Sequence, residues 1–198
     1  MNISRAAILV LALPVTLAAQ TPSATPPANP ITTAFRGRIV GLHRTLAQAF
    51  DSIPADKFSY KPTPAQLSIG NIAQHLANDN YLFCNAFGEM KATRPEEDTA
   101  TPDSVKATWP KDKLVTKLKE SFAFCGNALN QLADSKLGEQ TSMTFGNNTR
   151  QVTRAQMALG HALDLADHYS QIANYMRLNG IIPPTALPRP GRAGGAGR

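Results

Sequence analysis

The sequence predicts an all-α protein, a four-helix bundle with long crossover connections, on three observations. Four segments place apolar residues three and four positions apart, the spacing that lays one stripe along a helix. Those segments open at capping residues and close at glycine or proline. The stretches between them show little of the alternation that marks strands, so helix on helix, packed antiparallel, is the way to bury four stripes.

The first helix is expected from about Ile31 to Ile53, with Ile39, Leu42, Leu46 and Phe50 on its stripe and Pro54, Pro62 and Pro64 forcing an extended connection after it. The second opens at Ser68, a good N-cap, with Leu67 placed to staple onto Ile72. Its stripe is Ile72, Leu76 and Leu82 or Phe83, and it fades near Gly88. Residues 91–108 read as a polar crossover with at most one short helical turn. The third helix starts around Pro110, buries Leu114, Leu118, Phe122, Cys125, Leu129 and Leu132, and closes at Gly138. Residues 138–151 look irregular or weakly extended around a turn at Gly146-Asn147-Asn148. The fourth helix begins with the capping box Thr153 to Gln156 and runs to Leu178, stopped by Gly180, Pro183 and Pro184.

The ends read differently. Residues 1–20 have the layout of a secretory signal peptide: Arg5, an apolar run, then small residues at Ala18 and Ala19. Residues 21–32 are a Pro/Ser/Thr/Ala linker and 185–198 a Gly/Pro/Arg tail, both expected to be disordered, leaving one domain at 33–184. The expectation is an exported protein, periplasmic or secreted, with no stable membrane anchor. The formal charge is +6, but its cations are scattered, with no aromatic-interleaved basic cluster, which argues against nucleic acid as a partner. A homodimer is compatible with everything so far.

Two cysteines occur, Cys84 and Cys125, both in expected helices. Export favours one bridge between them, two buried thiols being the other reading. There are four histidines. His75 lies beside the stripe of the second helix, and the fourth helix carries His161, Asp164 and His168 at spacings of three and four. Such groups among core residues are costly unless paired, so they point to a site inside the bundle. His43, at the edge of the first stripe, reads as a satisfied or surface histidine. Asp79, Asn80 and Asp167 fall near the candidate ligands, where supporting partners or a solvated face are both open. Trp109 and Tyr81 read as packing residues.

Three fragments in this order carry a resemblance: Phe58-Ser-Tyr-Lys-Pro-Thr-Pro64, then Ser68-Ile-Gly-Asn-Ile-Ala-Gln-His75 with Tyr81 and Cys84 behind it, and His168-Tyr-Ser-Gln171 leading to Tyr175 and Gly180-Ile-Ile-Pro-Pro184. The chain resembles the DinB-like family, in its exported branch. The resemblance implies a four-helix bundle and, in many members, a divalent metal held by three histidines. One of these comes from the second helix and two, four apart, from the fourth. His75 and His168 match the first and last of these positions, while Asp164 stands at the middle one. The implied metal ligands are therefore His75, Asp164 and His168, a 2-His-1-carboxylate set suited to zinc, nickel or iron. His161, two turns from His168 at about 10.5 Å of rise, is too distant to share that ion. It reads as a group orienting Asp164 or as a partly exposed helix residue.

Three protein ligands leave an open position where water is activated, so the implied chemistry is hydrolysis or transfer on an unknown small molecule. The rival expectation is a non-catalytic exported bundle, binding a ligand or partner, with a degenerate metal site.

Overall fold

The computed structural model describes residues 27–188. The expected signal segment, most of the linker and the end of the tail lie outside them. Four long helices dominate: α1 (Pro30–Ser52), α2 (Ile69–Phe87), α5 (Lys111–Gln131) and α6 (Arg154–Leu178). Two short ones, α3 (Glu96–Ala100) and α4 (Asp103–Lys106), lie in the crossover between α2 and α5. Pro30, Ile31 and Thr32 are already helical, so the domain begins inside what reads as linker. At the other end Tyr169 Oη lies 2.8 Å from Thr185 Oγ1, holding the first residues of the expected tail to α6.

The sequence caps form where expected. Ser68 Oγ accepts from Asn71 N–H at 3.1 Å, and Thr153 and Gln156 complete a reciprocal capping box. At the end of α6, Gly180 takes φ +71°, Ile181 N–H reaches Met176 C=O and Gly180 N–H reaches Arg177 C=O. That is a Schellman stop, which a left-handed glycine makes cheaply. Leu67 remains exposed, so it adds no staple to the core.

Helix α5 ends at Gln131, not Gly138. The chain leaves the helix because Asp134 caps the start of α1, accepting from Thr32 N–H at 2.8 Å and Ile31 N–H at 3.1 Å. A carboxylate at a helix N-terminus satisfies donors that have no intrahelical partner and faces the positive end of the dipole.

The packing corrects the expected antiparallel arrangement. Helices α1 and α2 each pack on both α5 and α6, so α1 and α2 are diagonal. Asn80 meets Ser121 and Cys84 meets Cys125, both at an offset of 41 residues, so α2 and α5 run parallel. Arg36 reaches Leu129 C=O while Asp51 pairs with Lys119, so α1 and α5 are antiparallel. His75 meets His168 and Asn80 meets His161, so α2 and α6 are antiparallel too. Parallel neighbours need a connection that returns the full length of the bundle. That is the physical reason for the long crossover at residues 88–110. It is pinned by Lys106, whose buried ammonium pairs with Asp103 at 2.8 Å, and by Lys117, which pairs with Asp98 at 3.1 Å.

A second correction is a hairpin. Strands β1 (Gln140–Phe145) and β2 (Asn148–Thr153) pair antiparallel in register Gln140↔Thr153 to Phe145↔Asn148. Gly146, at φ +58°, opens its two-residue turn. The pattern is faint because β2 buries only Val152.

Candidate metal centre

His75 and Asp79 lie one turn apart on α2, and Asp164 and His168 one turn apart on α6. A helical turn places residues four apart on one face, so each helix presents one imidazole and one carboxylate to the seam between them. The structure brings His75, Asp164 and His168 together: one donor atom from each lies within 4.8 Å of the others. The rings of His75 and His168 meet edge to face at 4.8 Å. His168 Nε2 is 3.4 Å from Asp164 Oδ1, and His75 Nε2 is 3.3 Å from Asp79 Oδ2.

The centre is asymmetric. His75 keeps 36% of its side chain exposed and His168 only 8%, so the mouth is on the α2 side. Burial pulls the His168 imidazole down, but the hydrogen bond and charge of Asp164 outweigh it, with Asp167 and Asp79 behind, and hold it above its usual value. Asp79 is pushed up to about 6, chiefly by burial, with the charges of Asp164 and Asp103 opposing its ionisation and His75 and His168 favouring it. Two atoms are buried with no hydrogen-bond partner: Asp164 Oδ2 and His168 Nδ1. An anionic oxygen in that state is costly, and a cation shared with the two imidazoles satisfies it. The donor set therefore fits a zinc-like ion.

The other expected contributors go elsewhere. Asp167 is exposed and accepts from Gln171 at 2.7 Å. Asn80 is fully buried, on the stretch of stripe expected for Leu82 or Phe83, which are only half-buried. Trp109 packs against the core beneath the Lys113 ammonium, and Tyr81 lies under Arg94.

A second cluster went unread in the sequence. His161 is fully buried, not partly exposed, and its hydrogen-bond partners are Asn80 and Cys84 and not Asp164. Its Nε2 lies 2.8 Å from Asn80 Oδ1 and its Nδ1 3.9 Å from Cys84 Sγ. Cys84 and Cys125 are joined in a disulfide with Cα atoms 5.3 Å apart. His43 is buried as well, stacked on Phe122 at 4.3 Å, with Nε2 lacking any partner, so it is neither satisfied nor on the surface. Burial drives its imidazole down to about 3 and that of His161 well below the ordinary range. The repeated i,i+4 pairs Asn80/Cys84 and Ser121/Cys125 were the signal available in the sequence. They register only if the two helices run parallel.

The profile of the DinB superfamily matches residues 38–172. A DinB-like protein from Bacillus cereus has a similar fold, at TM-score 0.60 and 15% identity, over 77% of this chain and 95% of its own. A DinB-like protein from Bacillus subtilis is similar at TM-score 0.57 and 16% identity, over 79% and 99%. A conserved protein from Enterococcus faecalis follows at TM-score 0.54 and 17% identity, over 75% and 96%. No curated protein matches the chain in sequence.

Proposed function

The chain belongs to the DinB superfamily, and from that premise we propose that it is an exported, divalent-metal-dependent hydrolase or group transferase acting on a small molecule. The observation that carries this reading is the meeting of His75, Asp164 and His168 around a buried, unpartnered carboxylate oxygen, Asp164 Oδ2. These three residues would hold the ion, zinc, nickel or iron being suited to the set. A bound ion would supply Lewis acidity and a position for water or substrate.

The chain's own residues do the rest. Asp164 spans both roles: Oδ1 lies against His168 Nε2 while Oδ2 is left for the cation. Asp79 Oδ2 lies 3.3 Å from His75 Nε2 and holds that ring from the α2 side. His75 is the most exposed member, so substrate approaches past it, and the deeper His168 keeps its surroundings dry. Export is supported by the leader-like pattern of residues 1–20 and is compatible with the disulfide.

The test begins with metal analysis and zinc titration of purified protein. One equivalent is expected, lost in His75→Ala and His168→Ala, with affinity at least about 10-fold higher in Asp164→His. Alanine variants that bind zinc like the parent overturn the centre. A panel of ester, amide and phosphoester substrates with zinc, nickel or iron then tests the enzyme. Bound metal without turnover by any variant favours the non-catalytic, ligand-binding reading, which the internally paired His75/Asp79 and His168/Asp164 already suit.

A further inference from the structure

We infer that Cys84, Cys125, His43 and His161 form a second metal site, closed while the disulfide is intact and opened to a zinc-like ion by its reduction. One donor atom each of His43, Cys125 and His161 lie within 4.8 Å of one another, and Cys84 Sγ is 3.9 Å from His161 Nδ1. A tetrahedral zinc with bonds of about 2.0–2.1 Å to nitrogen and 2.3 Å to sulfur needs such donors roughly 3.5 Å apart. Those distances are already close to that arrangement, and the bonded sulfurs are the pair that must move apart.

The hydrogen bonds set His161 up as a ligand. Ser121 Oγ donates to Leu118 C=O, so it accepts from Asn80 Nδ2 at 2.7 Å, and this turns Asn80 Oδ1 toward His161. Nε2 of His161 is therefore the protonated nitrogen, donating to Asn80 at 2.8 Å. Nδ1 keeps its lone pair and faces the sulfur of Cys84. Metal-binding histidines are commonly oriented in this way, by an acceptor on the nitrogen that does not ligate. His43 adds the unexplained observation: 6% exposed, with Nε2 buried and unpartnered. Both rings are held neutral by burial, the protonation state a ligand needs.

The disulfide occupies both sulfur donors. Reduction by a dithiol breaks the S–S bond. Two electrons and two protons pass to Cys84 and Cys125, and the dithiol leaves as its cyclic disulfide. A divalent ion then displaces both thiol protons. Two thiolates, two neutral imidazoles and a 2+ ion sum to zero charge, so the occupied site suits an apolar interior where an uncompensated ion does not. The sulfurs must part to roughly 3.7 Å, the edge of the tetrahedron. A surface groove between α1 and α5, lined by Val40, Ala47, Lys119 and Gly126, leads to His43 and Phe122 and supplies a route inward.

Cobalt is the probe, because a tetrahedral thiolate site gives intense visible bands and thiolate-to-metal charge transfer. The His75→Ala/His168→Ala variant, reduced anaerobically with a phosphine, is expected to take up one equivalent of cobalt with those bands. The same variant left oxidised is expected to show none. His43→Phe, added to that background, keeps the stack on Phe122 and is expected to weaken cobalt by more than about 100-fold, beyond the 10–100-fold cost of losing an outer partner. Reduced protein without thiolate bands, or bands indifferent to His43→Phe, overturns the inference. If reduction unfolds the chain, one equivalent of zinc should restore its helical circular dichroism, and failure to do so overturns it equally. The background lacks both imidazoles of the first centre, so either site can fail alone.

Discussion

The seam between α2 and α6 carries two histidine clusters that differ in almost everything except their residue type. At one end His75 and His168 each sit beside a carboxylate, with His75 open to water and His168 buried behind it. At the other, His161 faces an amide oxygen and a disulfide, and His43 an aromatic ring, away from water. The His168 imidazole is held above its usual value at the first end, and that of His43 is pushed to about 3 at the second. Charge neighbours and burial, and not the side chain itself, set the two values apart: carboxylates raise His168, and burial alone lowers His43.

The largest test of the contrast removes the seal. Cys84→Ala/Cys125→Ala opens a loop spanning 41 residues, and the chain-entropy estimate is a loss of about 4 kcal/mol, read by urea unfolding of the metal-free protein. A loss under about 1 kcal/mol would mean that the closed cluster is not what holds α2 to α5. Next comes His161→Ala, which leaves Asn80 Oδ1 without its donor and a void in the core. We expect about 3 kcal/mol, from both effects.

The third test uses pH. The folded-state value of His43, about 3, lies below its ordinary value of 6.5. The unfolded chain therefore binds the proton first, and stability present above 6.5 is lost as the pH falls toward 3. At pH 5 the loss from this residue is about 2 kcal/mol relative to pH 7.5. His43→Phe should flatten that part of the stability profile while barely altering it near neutrality. An unchanged acid limb in the variant would show that the closed cluster is not desolvated as described. The smallest effect belongs to the open cluster: His75→Ala, at a third-exposed site, should shift metal-free stability by no more than about 0.5 kcal/mol. A shift above 2 kcal/mol would make His75 a structural residue and erase the distinction.

Much of this was legible in the chain. The capping box at Thr153, the Ser68 cap and the Gly180 stop are local chemistry, and they appear where the residues stand. That His75, Asp164 and His168 would face one another was expected from helical spacing and family resemblance, and the structure brings them together. Asp134 escaped notice because its partners, Ile31 and Thr32, lie about a hundred residues away. The hairpin escaped because β2 buries only Val152.

By itself, then, the sequence determined four amphipathic helices, their ends except that of α5, and the face on which each candidate ligand sits, since periodicity and capping act within a few residues. The tertiary structure alone decided that α2 and α5 run parallel and that His43 and His161 lose their water. An apolar stripe reads the same whichever way its neighbour runs, so periodicity carries no direction. The state of an imidazole is set by what packs around it: Asn80, Cys84 and Phe122 come from two other helices and convert two ordinary histidines into a closed pair.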